Sequence, residues 1–354
     1  MYAHDPRLPD ELRRLLDRAG MFVTAYFDVS ARSPELQWAD QRSAVEEAGL
    51  SDSVAAIDVA AATKTDEHTA GWAVIASEDG STLVVESPDP PKRPHVKVGA
   101  LPYLAPILEW RQNDVPHLVV SLADALSPAG EDAAADVEIL PFSVVGLDDP
   151  IVATSDQALH LVTELADGRN IPLVIVVGPE LVARAFAKQL RRQAPIETSI
   201  RTLSHPGDDL DALADDIVRA AATERAVETV RRIREFRFER SHANVAEGAT
   251  STMQAVASGS PRMVLVHDDP TDHRTVLSST MDQPVRLVDA VIAAALFHGI
   301  DVHIMPAIDD GPRQALGAVL SDAAAPAGQL TEPPVRLWAM AEDVPHTQGD
   351  LVGA

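Results

Sequence analysis

Residues 171–177, Ile-Pro-Leu-Val-Ile-Val-Val, are apolar without a break. A half-exposed strand would alternate apolar and polar residues. A continuous run of this length therefore predicts a strand covered on both faces. Helical segments flank it, one over about 155–166 and one opened by Gly178-Pro179-Glu180 and running through Gln193. A strand clothed on both sides by helices excludes an all-β or all-helical fold and points to α/β.

The same alternation recurs along the chain. Pro9-Asp10-Glu11 with Leu12, Leu15 and Leu16 reads as a helix start with an apolar face. Residues 22–27 (Phe-Val-Thr-Ala-Tyr-Phe) are dense in β-formers. Helices are predicted from Ser33-Pro34-Glu35 through Trp38 and Val45, and again from Ser51. Residues 72–76 and 82–85 flank Asp79-Gly80 as a hairpin. Pro88, Pro90, Pro91 and Pro94 mark a loop. Strands follow over 117–122, 137–140 and 196–203. Residues 210–240 hold no proline or glycine and read as one long helix. A second helix over 245–257, a strand at 263–267, a helix over 285–298, a strand at 301–305 and a last strand at 317–320 complete the pattern.

The chain has 354 residues, of which 46% are hydrophobic and 23% charged, enough to fill several cores. It has no cysteine, which removes disulfides, thiolate metal sites and cysteine catalysis. No apolar run reaches the length of a transmembrane helix, and the polar start lacks a secretory core. A cytoplasmic location is expected. Arginine outnumbers lysine 25 to 4, as in high-GC, for example actinobacterial, genomes.

The net charge of −25 disfavours a fold-wide cationic binder of nucleic acid or a polybasic binder of membranes. The charge is uneven, however: −18 over residues 1–180, +2 over 181–240 and −9 over 241–354. The near-neutral window contains Arg191, Arg192, Arg231, Arg232, Arg234, Arg237 and Arg240. Arginine forks onto phosphates and stacks on bases, so these are candidate RNA contacts. The competing reading is an exposed helix laced with ion pairs, since Glu228 and Arg232, like Arg231 and Glu235, lie four apart. Steps of three drift by about 60° on a helix, so the arginines do not form a single stripe.

The most metal-like run is 267–273, His-Asp-Asp-Pro-Thr-Asp-His, read chiefly as a polar loop at a strand end. His298 and His303 straddle Gly299 and are read as structural, and Asp309-Asp310-Gly311 as a turn. The neighbouring acids Asp148-Asp149 and Asp215-Asp216 are read as solvated surface. No dinucleotide, P-loop, zincin or nucleophile-elbow motif is present. No metal, cofactor or catalytic residue is assigned.

Several segments together resemble one family. Leu12-Arg13-Arg14-Leu15-Leu16, residues 20–28 and Trp38 resemble its opening helix and strand. Residues 101–108, Leu-Pro-Tyr-Leu-Ala-Pro-Ile-Leu, resemble its junction into a second domain. The Arg-rich helix with 245–259 and 263–267 resembles the start of its third domain, and Asp310-Gly311 with 316–320 its closing strand. The family is the bacterial branch related to the archaeal and eukaryotic peptide-chain release factor, including actinobacterial relatives of the hibernation factor Balon.

The resemblance covers residues 10–322. It implies an N-terminal α/β domain (1–110), an RNase H-like middle domain (111–205), an L7Ae-like α/β C-terminal domain (206–322) and a Pro/Ala-rich tail (323–354). It also implies a ribosomal partner contacted through rRNA at the A site, and a translation GTPase as a further partner. Lys92, Arg93 and Lys97 join the arginines as candidate RNA contacts. Release factors place water with a Gly-Gly-Gln tip, whereas this chain has no Gly-Gly pair and no Asn-Ile-Lys-Ser motif. The corresponding connection falls within 142–157. The expectation is a non-catalytic factor that occupies the A site during hibernation or stress. Two rivals are a peptidyl-tRNA hydrolase of ribosome rescue with a different loop, and a stress-related protein-interaction module.

Overall fold

The computed structural model describes residues 7–321 and 337–340, apart from 19, 31, 64–68, 123–135, 143, 145–146, 148, 205–209, 270, 279–282 and 309–310. The chain forms two compact units, one of residues 1–112 with 232–354 and one of 113–231.

The first unit opens with α1 (Leu8–Leu16), whose Leu8, Leu12, Leu15 and Leu16 form one buried face. Strands β1 (Phe22–Asp28), β2 (Gly71–Ser77), β3 (Thr82–Ser87) and β4 (His95–Gly99) make an antiparallel sheet of order β3-β2-β1-β4. Helices α2 (Pro34–Glu47) and α3 (Ser51–Ala61) lie between β1 and β2 in sequence. They cover one sheet face through Trp38, Val45, Val54 and Ile57 against Val23, Phe27, Trp72 and Val74. Trp38 Nε1 donates to Asp58 (2.7 Å), which also pairs with Arg42. Helix α4 (Ala105–Asn113) supplies Ile107, Leu108 and Trp110 to the opposite face.

The second unit begins with β5 (His117–Leu122), β6 (Asp136–Phe142) and β7 (Ile151–Thr154), then α5 (Ser155–Gly168), β8 (Leu173–Gly178), α6 (Glu180–Leu190) and β9 (Ser199–Ser204). Its sheet has the order β7-β6-β5-β8-β9, in which β6 runs antiparallel to its two neighbours and β5, β8 and β9 are parallel. Numbered within the unit, this is 3-2-1-4-5 with the second strand reversed, the RNase H-like arrangement. Every residue of β8 is buried. Helices α5 and α6 cover one face through Leu159, Val162, Phe186 and Leu190. The other face (Val119, Leu173, Ile175, Val177) meets Leu213, Ile217 and Ala221 of α7 (Leu210–Ser241).

Helix α7 runs on into the first unit. There β10 (Val245–Glu247), α8 (Ala249–Ala257), β11 (Pro261–His267), β12 (Thr275–Ser278), β13 (Gln283–Arg286), α9 (Leu287–Phe297), β14 (Asp301–Met305) and β15 (Leu316–Leu320) follow. A short 3₁₀ turn, Arg313–Ala315, precedes β15. The main sheet is β10-β15-β11-β14, or 1-4-2-3, the mixed order of an L7Ae-like domain. Phe236 and Ile233 of α7 pack on one face with Met263, Leu265, Met305 and Val319. Helices α8 and α9 pack on the other. A small sheet, β13-β12-β16, adds β16 (Leu337–Met340).

The two ends of the chain share one core. Leu12, Leu16, Tyr26, Leu104 and Ile107 belong to the same apolar cluster as Met253, Val288, Val291, Ile292 and Leu316. Helix α9 explains why: all ten residues from Leu287 to Leu296 are buried, so it needs cover on every side. The β11 sheet and α8 supply part of that cover, and α1 supplies more. Two polar links reinforce the junction. Arg13 Nε donates to the Leu296 carbonyl (3.2 Å). The Gln112 amide donates to the Val302 carbonyl (3.0 Å) and accepts from Ile304 N–H (3.1 Å), satisfying the open edge of β14.

Several predicted elements differ from those observed. The helix predicted over 245–257 is two elements: Val245, Ala246 and Glu247 pair with Val319, Ala318 and Gly317, and the helix starts only at Ala249. Gly248, at φ +83°, makes the break. Likewise Val285 belongs to β13, and α9 starts at Leu287. Helix α6 stops at Leu190, and Ile196, predicted to be in a strand, is fully exposed. Strands β4, β7, β10, β12, β13 and β16 and helix α4 were not predicted. They are short or lack clear periodicity, and partners distant in sequence hold them. The Pro/Ala-rich tail 323–354 lies outside the described residues, β16 apart.

The shared core makes a cooperative expectation. Ile107→Ala should cost about 2–5 kcal/mol. In native-state hydrogen exchange it should lower protection in α1 and α9 together, although they lie some 280 residues apart in sequence. Ile175→Ala should instead lower protection within residues 113–231. Exchange confined to the N-terminal third in the Ile107 variant would contradict a shared core.

Candidate nucleic-acid interface

The predicted RNA contacts separate into cations turned inward and cations facing solvent. Arg191 caps α6 and donates to the Ile200 carbonyl (2.9 Å), tying the helix end to β9. Arg232 pairs with Asp301 (3.3 Å) and reaches the Met263 sulfur, and Arg240 pairs with Glu247 (3.0 Å), donates to the Gly311 carbonyl and lies over the Phe236 ring. These three are chiefly structural. Arg231 forks onto Glu228 (2.6 and 2.8 Å), one turn before it, and Lys92 pairs with Glu109 (2.6 Å). Arg93, Arg192, Arg234 and Arg237 are exposed.

On α7, Arg231, Arg234 and Arg237 are exposed. Each is displaced about 60° from the last, so together they span about 120° of the helix surface. Arg232 and Arg240 point into the fold, as their partners require. The drift predicted from steps of three is present, but it sorts the arginines into an inner and an outer set.

Lys97 stands apart from the others. It is itself exposed and lies over the Tyr103 ring (3.9 Å), beside a buried ionic cluster that sequence reasoning missed. The Tyr103 hydroxyl donates to Asp268. Arg286 pairs with Asp268 (2.7 Å) and Asp289 (3.4 Å), donates to the Asp269 carbonyl (2.6 Å) and lies over the Tyr103 ring. Tyr26 stacks on His95 and donates to the Tyr103 carbonyl (2.5 Å). Burial pushes Asp289 up to about 6, against the pull of Lys97 and Arg286. Burial also raises Tyr103, assisted by Asp268, and lowers His95. For Arg286, burial works downward and is outweighed by Asp289 and Asp268. The available sequence signal was Asp289 itself, a single acid in Leu-Val-Asp-Ala-Val-Ile-Ala-Ala-Ala-Leu-Phe. A charge in an otherwise apolar helix requires a partner.

The metal-like run 267–273 is spent on internal contacts. Asp268 belongs to the ionic cluster, Asp269 accepts from Thr271, and Asp272 pairs with Arg274 (2.6 Å). His267 Nδ1 lies 3.1 Å from the Met305 carbonyl. No group of three metal-ligating side chains occurs among the described residues. His303 is buried on β14, and His298 ends α9 with its pKa lowered by burial. Asp309 and Asp310, predicted as a turn, and Asp148 lie outside the described residues. No helix among the described residues is long and apolar enough to cross a membrane.

No protein-family model and no curated protein matches this sequence. Solved structures similar to the chain include the archaeal translation termination factor aRF1 (14% identity, 88% of this chain and 97% of that chain, TM-score 0.24). Archaeal Pelota, in a ribosome-bound assembly with ABCE1, matches at 14% identity over 88% of this chain and 94% of its own (TM-score 0.39). Dom34 of S. cerevisiae, a translation termination-like factor that interacts with Hbs1, matches at 9% identity over 68% and 72% (TM-score 0.37).

The two classes of cation should behave differently on substitution. Arg286→Ala leaves two nearly buried carboxylates without their partner and should cost about 3–5 kcal/mol. Arg234→Ala should change stability by less than about 0.5 kcal/mol. Denaturant melts of both variants decide this. A pH series tests Asp289. Its folded pKa, about 6, lies above the ordinary 3.8, so the protonated acid favours the folded state. That contribution is full below about pH 4 and is lost as pH rises through 6. The stability of the wild type relative to Asp289→Asn should fall by about 1–3 kcal/mol between pH 4 and 7. A difference flat with pH would contradict this assignment.

Proposed function

We propose that this chain is a non-catalytic ribosome-binding factor that occupies the A site and shields the active centres of idle ribosomes. The observation that carries the reading is the RNase H-like sheet of residues 113–231, whose β6–β7 connection spans only 143–150 and contains no Gly-Gly pair. The resemblance implies that this connection, within 142–157, corresponds to the family's hydrolytic tip. The sheet order is present, and the Gly-Gly pair of that tip is missing.

The sequence resemblance over 10–322 supports three domains at 1–110, 111–205 and 206–322, with a tail after them. The L7Ae-like sheet order of the C-terminal region accords with that division. In this reading rRNA is met by the outward cations, Arg93, Arg192, Arg231, Arg234 and Arg237. Arg232 and Arg240 act by holding the scaffold, while the exposed Arg191, Lys92 and Lys97 are engaged by the Ile200 carbonyl, Glu109 and the Tyr103 ring. A translation GTPase is the second partner, and the setting is cytoplasmic, in stress or dormancy.

Co-sedimentation with 70S ribosomes tests the proposal. The protein should be enriched over an equally acidic control. Enrichment should fall with salt, and Arg234→Ala/Arg237→Ala should make that salt dependence shallower, because each lost phosphate contact removes counterion release. Absence of enrichment at low salt would overturn the reading. Stalled ribosome–peptidyl-tRNA complexes should retain their peptide when the protein is added.

A further inference from the structure

The last turns of α7 carry a feature that neither the core nor the ion pairs use. Phe236 faces inward and is 1% exposed, while Phe238, two residues on and about 200° around the helix, is 62% exposed. A large ring facing water beside a filled core contributes little to folding. It is also not isolated. The His242 ring lies 4.4 Å from it, centroid to centroid, one turn along the same line. His242 is held in place: its Nδ1 lies 2.8 Å from the Phe238 carbonyl. Ser241 Oγ donates to that carbonyl too (2.6 Å).

The charge around the ring pair is positive. Arg234 lies one turn before Phe238 and Arg237 immediately beside it, both exposed. The two acids of this stretch, Glu235 and Glu239, are both taken up by Arg262 of β11 (2.6 and 2.9 Å). Residues 231–242 hold five arginines against these two glutamates, in a chain of net charge −25. Exposed rings flanked by guanidinium groups match the alternation of bases and phosphates in unpaired nucleic acid.

We propose that Phe238 and His242, with Arg234 and Arg237, form a stacking platform for an unpaired RNA base and its flanking phosphates. This deepens the RNA contact proposed above and rests on that reading. The ring pair receives the base, and the arginines meet the backbone on either side. Duplex RNA, whose bases are stacked internally, offers the platform no free face.

The test uses the full chain and three probes: a labelled unpaired twelve-residue oligoadenylate RNA, a blunt RNA duplex of equal length, and heparin as a polyanion without bases. The wild type should bind the oligoadenylate more tightly than the duplex. Phe238→Leu, which keeps an apolar side chain at this exposed position but removes the ring, should weaken oligoadenylate binding by about five- to a hundredfold. Phe238→Tyr should retain it, and heparin binding should not respond to either substitution. Equal affinity for duplex and unpaired RNA, an unchanged Phe238→Leu variant, or capture of an acidic peptide in preference to oligoadenylate would each overturn the platform. Ribosome sedimentation separates the two proposals. If Phe238→Leu changes neither oligoadenylate nor ribosome binding, the platform fails and the function stands. If oligoadenylate binding depends on the ring in a protein that ignores ribosomes, the function fails and the platform stands.

Discussion

The first unit depends on the burial of α9. A helix that is apolar on all sides cannot rest on one sheet, because the uncovered half would expose its leucines and valines to water. Its remaining cover comes in part from α1, contributed by the opposite end of the chain. The N-terminal sheet and the C-terminal sheet are thereby built around a common apolar layer. Neither end can loosen without exposing surface that belongs to the other.

Burial on this scale leaves a polar problem at Asp289, and its solution organises the surroundings. Arg286, one turn earlier, answers Asp289 and also recruits Asp268 at the end of β11. Asp268 accepts from Tyr103, whose ring lies beneath Lys97. The charges thus connect segments from both ends of the chain, as the apolar side chains do. Such a cluster adds little net stability compared with a well-packed apolar one, but it penalises any arrangement that separates its members. Geometry is specified even where the free energy is nearly balanced.

The same principle separates scaffold from surface on α7. Its N-terminal half covers the RNase H-like sheet with Leu213, Ile217 and Ala221, and its C-terminal half covers the L7Ae-like sheet with Ile233 and Phe236. Arginines on the covered side are drawn into pairs with Asp301 and Glu247, and Arg231, Arg234 and Arg237 on the far side are exposed. One helix therefore carries both packed and exposed arginines. Of the five arginines over 231–240, three face outward, on the stretch that also carries the exposed Phe238.

Much of this architecture was legible in the amino-acid sequence. The unbroken run at 171–177 demanded a doubly covered strand, and the uninterrupted stretch 210–240 demanded one helix. These properties are local, set by backbone preference and by hydrophobic period. The split of 245–257 into a strand and a helix was not legible, because three residues carry no period and only β15 makes them a strand. The fate of each charge was equally hidden. Arg232 and Arg234 are chemically identical and two apart, yet one is fixed by Asp301 and the other faces solvent. Lys97 reads as a loop cation, yet it lies on β4 over the Tyr103 ring. Sequence sets which side chains carry charge and which segments are helix or strand. Tertiary structure alone decided which charges are spent internally, because that depends on neighbours brought close by packing from far along the chain.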